Sequence, residues 1–134
     1  MTSGPAALRL FIGGQWRDGG GDSILSRNPA RPDVVVAEGS SATIGELGTA
    51  VDAAVAAQGS WAATPLHQRG AVLAAAADVI DQHAEAWGLE LTTEEGKTLA
   101  EGIGEVRRAA QILRYYAAEG DRPAGEIFSS PRAG

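Results

Sequence analysis

Cysteine is absent from the 134 residues. Without it there is no disulfide framework, no thiolate ligand for a metal and no cysteine nucleophile. Aromatic side chains are scarce at 5%, while alanine supplies much of the 44% hydrophobic fraction. A buried alanine removes little surface from water compared with leucine or phenylalanine, so the sequence predicts a thin core. Nor is there an apolar run near the ~18–20 residues that a bilayer-spanning helix needs. Met1–Pro5 carries no basic start leading into a hydrophobic signal core, so the expected location is the cytoplasm. Positive charge is in deficit, at a formal net charge of −6. That balance argues against a sequence-independent grip on nucleic acid, which depends on Lys and Arg neutralising phosphates.

What is present is enough for one folded unit, since domains commonly run to about 100–150 residues. Leu8–Trp16 is apolar and β-tolerant, Asp18–Asp22 is rich in glycine, and Ser23–Arg27 is short and extended in character. The expectation is a hairpin turning at Gly19-Gly20-Gly21. Asn28-Pro29 marks a turn, and Val34-Val35-Val36 a third short strand.

Helical signals begin at Thr43, followed three residues on by Glu46, the spacing of a capping box. Ile44, Leu47, Val51, Ala54 and Val55 then recur at helical spacing, predicting a helix with one buried face that ends near Gly59. Thr64-Pro65 opens the next helix with proline at its first position, and Leu66, Leu73, Ala76, Ala77 and Ile80 form its stripe. Because the period continues through Ala84, Trp87 and Leu91, periodicity alone leaves one helix or two, and a break near Asp81 is favoured. Gly96 is placed for a left-handed C-terminal turn, and Thr98 with Glu101 forms a second capping box. Leu99, Ile103, Val106, Ala110, Leu113 and Ala117 mark the last helix. Gly102 and Gly104 within it each cost about 1 kcal/mol relative to alanine and so imply close packing. Beyond Gly120, Asp121-Arg122-Pro123 and Ser130-Pro131 show no periodicity, and a frayed tail is expected. Three short strands followed by about four helices suit either a small α+β domain or the front of a larger α/β one.

Several residues bear on chemistry. The Gly19-Gly20-Gly21 run lacks the spacing of a phosphate cradle and reads as a turn. Gly102-Ile103-Gly104-Glu105-Val106-Arg107 starts like a dinucleotide loop, but has arginine where a third glycine belongs and lies inside a helical pattern. His67 and His83 lack metal-ligand spacing. Glu94 and Glu95 are adjacent, so on a helix they diverge by about 100° and do not converge on one substrate. Lys97, beside acids, is expected to stay protonated as a helix-end cation. Arg107, Arg108 and Arg114 fall among Glu101, Glu105 and Glu119, as on a solvated face or a subunit contact. No residue is assigned a catalytic, cofactor-binding or metal-binding role.

The order of the pieces carries a resemblance. Phe11-Ile12-Gly13-Gly14-Gln15-Trp16, Asn28-Pro29-Ala30 and the Val51–Ala57 helix ending near Trp61 are followed by Arg69 with Val72 and Leu73. Leu91-Thr92-Thr93-Glu94-Glu95-Gly96-Lys97, Glu105 and Leu113-Arg114-Tyr115-Tyr116-Ala117 continue the pattern. Together they resemble the opening of the NAD(P)-dependent aldehyde dehydrogenase superfamily. The resemblance implies an α/β parent subunit with a Rossmann-like cofactor domain, a catalytic domain and an oligomerisation arm. Residues 1–134 would be the N-terminal part of the cofactor-binding domain, with the Rossmann-like sheet largely missing and the catalytic domain absent. It implies too that a cysteine thiolate attacks the aldehyde, hydride passes to NAD or NADP, and a glutamate-activated water releases the acid. No residue here matches those positions; Trp16, Asn28 and Gly96 match positions that pack or turn. The expectation is an incomplete dehydrogenase that binds no cofactor and does not turn over alone, its parent a homo-oligomer acting on an aldehyde. The alternative is a short interaction module that binds an intact dehydrogenase subunit or another partner.

Overall fold

A computed structural model describes residues 4–122 and 125–126. Five short strands precede four helices and one 3-10 turn: β1 (Ala6–Leu8), β2 (Leu10–Ile12), β3 (Gln15–Arg17), β4 (Ser23–Arg27), β5 (Val35–Ser40), α1 (Ile44–Ala63), α2 (Leu66–Gln82), α3 (Ala84–Glu95), α4 (Leu99–Ala117) and Ala118–Asp121. Strands followed by helices match the expected α/β lead-in, but the strands pair differently from the sequence reading. The stretch Leu8–Trp16 is not one strand. It breaks at Gly13-Gly14, whose φ angles of 59° and 80° suit glycine, and β2 folds back on β3 with Phe11 opposite Trp16. The hairpin therefore turns at these two glycines and not at Gly19-Gly20-Gly21.

The second sheet has the order β1-β5-β4, with β1 parallel and β4 antiparallel to β5. Its centre, β5, runs further than the expected valine triplet. The connection from β4 to β5 is fixed by Asn28, which is buried and whose Oδ1 accepts from the Ala30 and Arg31 amides at 2.9 and 3.2 Å. That Asx turn gives the buried amide side chain its acceptor role and sets the bend before Pro32.

Both capping boxes form. The Thr43 hydroxyl accepts from the Glu46 amide at 3.2 Å while Glu46 Oε2 accepts from the Thr43 amide at 2.7 Å. Thr98 and Glu101 repeat the exchange at the start of α4. α1 runs past Gly59 to Ala63, and Pro65 caps α2 from outside the helix, since its ψ of 142° is extended. α2 and α3 are separate helices joined at His83, one to three residues past the expected break, and Gly96 closes α3 in the left-handed conformation at φ 77°.

The helices pack through small residues. Ala77, Ala84 and Ala110 are buried, with Gly70, Gly88 and Gly102 beside them. A β-carbon at Gly70 would lie 2.4 Å from the Ala117 carbonyl oxygen, and one at Gly102 would lie 2.5 Å from that of Gly88. These contacts let α2 and α3 approach the backbone of α4. Close packing was expected at both Gly102 and Gly104, but Gly104 faces open space. The buried apolar residues among those described are Ile12, Ala37, Ala77, Ala84 and Ala110, and no large side chain is fully buried. The thin core follows from this alanine and glycine packing.

α1 departs most from expectation. It has no buried residue, and Ile44, Leu47, Val51 and Val55 are 53–86% exposed. The predicted buried face is thus not buried among the described residues; α1 meets the β2–β3 hairpin through Ala50, Ala53, Ala54 and Ala57, and its larger apolar side chains stay exposed. The tail reading beyond Arg122 concerns Pro123 and Ser130-Pro131, which lie outside the described residues.

Candidate functional site

The glycine runs are engaged by protein atoms. The Gly21 amide donates to the Ser41 carbonyl at 2.8 Å, and the Gly20 amide donates to Glu46 Oε2 at 3.1 Å. A β-carbon at Gly19 would lie 2.3 Å from the Ser41 carbonyl oxygen, so the run is a turn laid against the start of α1. The same Glu46 carboxylate takes the Thr43 amide, the Gly20 amide and the Thr43 hydroxyl, which together hold it below the usual carboxylate range. Gly102 and Gly104 sit within α4, away from any strand end. The Gly20, Gly21 and Gly102 amides are thus taken by protein acceptors, and neither run has the strand-to-helix setting of a dinucleotide turn.

The titratable candidates are dispersed. Glu94 accepts from the Ser26 hydroxyl at 2.7 Å and so ties α3 to β4, whereas Glu95 turns to Lys97 at 2.5 Å. Lys97 is also bonded to Glu105 at 2.7 Å; these two carboxylates, Glu105 foremost, hold its ammonium above its ordinary value. It is a bridge between the end of α3 and the body of α4. His83 Nδ1–H donates to the Val79 carbonyl oxygen at 2.8 Å and its ring stacks on Trp87, while His67 lies beside Gly120. No group of three potential metal ligands occurs among the described residues.

The three arginines of α4 divide. Arg107 reaches Glu85 at 2.8 Å, and Arg114 grips Asp78 at 2.8 Å and Asp81 at 2.5 Å. These pairs tie α4 to α3 and α2, so the two arginines, expected on a solvated face or a subunit contact, bridge neighbouring helices of this chain. Arg108 meets no carboxylate among the described residues; its Nη1 donates to Gln111 Oε1 at 3.3 Å. With Gln111, Ile112, Tyr115 and Tyr116 it lines a concavity of about 380 Å3 on the outer face of α4. Sequence reasoning grouped Arg107 with Arg108, but helical geometry separates neighbours by about 100°. That spacing was the available signal that the two point to different surroundings.

A larger cleft of about 570 Å3 lies between the β1–β5 sheet and α3, lined by Leu8, Val34, Val36, Glu90, Thr93 and Glu94 among others. It combines an apolar wall with carboxylates and contains no nucleophile poised against a base. The described residues bring no catalytic constellation together.

Residues 16–134 match the sequence model of the aldehyde dehydrogenase family. The chain belongs to that family. The alpha-ketoglutaric semialdehyde dehydrogenase of Bacillus subtilis is 37% identical over 121 residues, covering 90% of this chain and 25% of that protein. The 2,5-dioxopentanoate dehydrogenase of Saccharolobus solfataricus is 34% identical over 116 residues, covering 87% of this chain and 24% of its own length. A solved NAD-dependent benzaldehyde dehydrogenase from Corynebacterium glutamicum superposes with a TM-score of 0.81 at 35% identity, over 92% of this chain and 27% of that one. The chain thus spans about a quarter of the length of these family members. The strand-and-helix lead-in described above is shared with that solved structure.

Proposed function

We propose that residues 1–134 are the N-terminal part of the cofactor-binding domain of an NAD(P)-dependent aldehyde dehydrogenase. The intact enzyme would oxidise an aldehyde to a carboxylic acid, and this segment alone would not. The observation that carries the reading is the coverage: nearly all of the chain aligns with family members, yet it corresponds to only about a quarter of their length. The absence of cysteine removes the thiolate chemistry that the family resemblance implies, and α1 leaves Ile44, Leu47, Val51 and Val55 exposed. The segment's part is architectural. β5 and α2–α4 form a frame, and the exposed stripe of α1 is the surface on which the remaining sheet would pack.

The parent is proposed to be a cytoplasmic homo-oligomer; no helix of the described residues is long and apolar enough to cross a membrane. The test compares purified 1–134 with the protein encoded when the reading frame is followed beyond Gly134. Each receives a panel of aldehydes with NAD or NADP, and formation of the reduced nicotinamide is followed. Turnover is expected only from the longer protein. Cofactor-dependent turnover by 1–134 itself would sink the proposal, and stoichiometric co-purification of 1–134 with a separate dehydrogenase subunit would favour the interaction-module reading.

A further inference from the structure

Among the described residues one side-chain polar atom is buried with no hydrogen-bond partner, the Nε of Arg69. On the reading proposed above, in which a longer dehydrogenase polypeptide continues beyond residue 134, we infer that Arg69 anchors a carboxylate side chain of that later polypeptide. The ion pair would join α2 to the rest of the subunit.

Arg69 stands on the packing face of α2, where Leu73 and Ile80 are half-buried and Ala77 is buried at successive helical spacings. Its Nε is shielded from water without a replacement for the lost hydrogen bond, and a buried donor left in that state is destabilising, more so in a charged group. Its own helix supplies no partner. The positions three and four residues away are Pro65, Leu66, Val72 and Leu73, none of them acidic. The acids farther along α2, Asp78 and Asp81, are held by Arg114. Arg69 is also near the start of α2, a helix with no acid in its first turn, so its positive charge sits toward the positive end of the helix dipole. A neutral acceptor would relieve only the missing hydrogen bond, whereas an anion relieves both.

The surroundings select the source of that anion. Nε–H with an adjacent Nη–H forms a planar fork that takes both oxygens of a carboxylate. Leu66 and Val72, three residues to either side of Arg69, are exposed. A free anion would pair with the arginine and leave those apolar side chains in water, whereas a polypeptide segment bearing Asp or Glu among apolar residues covers all three. This chain spans about a quarter of the length of its relatives, so on this reading most of the subunit remains to supply such a segment.

The experiment places Arg69→Met and Arg69→Lys both in 1–134 and in the intact dehydrogenase that carries it, and follows thermal unfolding by circular dichroism. In 1–134, where no described carboxylate meets the arginine, Arg69→Met removes the buried donor and keeps most of the stem, so its midpoint should equal or exceed that of the unaltered chain. In the intact protein the same change leaves a carboxylate without its partner, and the midpoint should fall by at least about 5 °C. Arg69→Lys should lie between, since it keeps the charge and loses the fork. An intact Met variant that fails to accumulate, beside a normal Met variant of 1–134 and a soluble Lys variant, is the same result at its extreme. Equal losses in both lengths of chain would place the partner of Arg69 within 1–134, and no loss in either would mean that no carboxylate meets it; each overturns the inference. So would inorganic phosphate raising the midpoint of the intact protein in a manner that Arg69→Met abolishes, which would make the occupant a free anion. A change confined to the oligomeric state in sedimentation velocity would put the carboxylate on a second copy and overturn it as well. Failure of the unaltered intact protein to oxidise any aldehyde with NAD or NADP would instead remove the functional reading on which the inference rests.

Discussion

Replacing Gly102 with alanine should destabilise the chain, whereas the same replacement at Gly104, two positions along the same helix, should stabilise it. Alanine is favoured over glycine in a helix interior by about 1 kcal/mol, and both variants collect that gain. They differ in what the new methyl meets. At Gly104 nothing lies within 4 Å, so the gain stands alone. At Gly102 the β-carbon would fall 2.5 Å from the Gly88 carbonyl oxygen and 2.6 Å from Thr92 Oγ1. The threonine can rotate, but the carbonyl belongs to the backbone of α3 and yields only if the two helices separate. Overpacking of this kind costs about 1–3 kcal/mol, which offsets or exceeds the propensity gain. The two variants should therefore differ by roughly 2 kcal/mol, or about 7 °C in melting temperature for a chain of this size. Thermal and urea unfolding followed by far-ultraviolet circular dichroism would measure the order, expected as Gly104→Ala above the unaltered chain and Gly102→Ala below it. A Gly102→Ala variant that melts at or above Gly104→Ala would refute the backbone-to-backbone packing of α3 on α4.

Two further outcomes follow from the structure. Glu46 and Glu101 are held below their ordinary value of 4.5 chiefly by amide hydrogen bonds from Thr43 and Thr98, so each contributes stability that is present above that value and lost as pH falls through the lowered one. Urea midpoints between neutral pH and about pH 3 should drop, and the drop should be shallower in a Glu46→Gln, Glu101→Gln double variant; an unchanged slope would count against the caps as the source. Second, Leu47→Ser with Val51→Ser on α1 should change the unfolding free energy of 1–134 by no more than about 0.5 kcal/mol per site, because both side chains are already exposed, while lowering its self-association in sedimentation velocity. A loss of several kcal/mol would mean that the stripe is packed within this chain.

Local signals were legible in the sequence because their partners are close along it. The Thr43–Glu46 and Thr98–Glu101 boxes, the left-handed Gly96 and the division of α2 from α3 each rest on a few neighbouring residues, and each is observed. The hairpin was misplaced because two glycine runs lie within ten residues, and composition favoured the longer one. The pairing of β1 with β5 was not legible, since register between distant strands is set by tertiary packing that three residues such as Ala6–Leu8 do not encode. Gly102 and Gly104 look alike on paper; only the position of α3 distinguishes them. Arg108 was hidden for a related reason. Glu105 seems available to it until Lys97, on the preceding junction, is seen to take that carboxylate.

The parallel join of Ala6–Leu8 to Ala37–Gly39 also bears on the order in which the molecule assembles. That join closes a loop containing a hairpin and the whole of β4, whereas α3 and α4 meet across the short Gly96–Thr98 junction. Closing the longer loop costs more chain entropy and yields only a three-residue ladder in return. The helices therefore have reason to gather first, and the first strand to arrive late, finding an edge that the rest of the chain has already built.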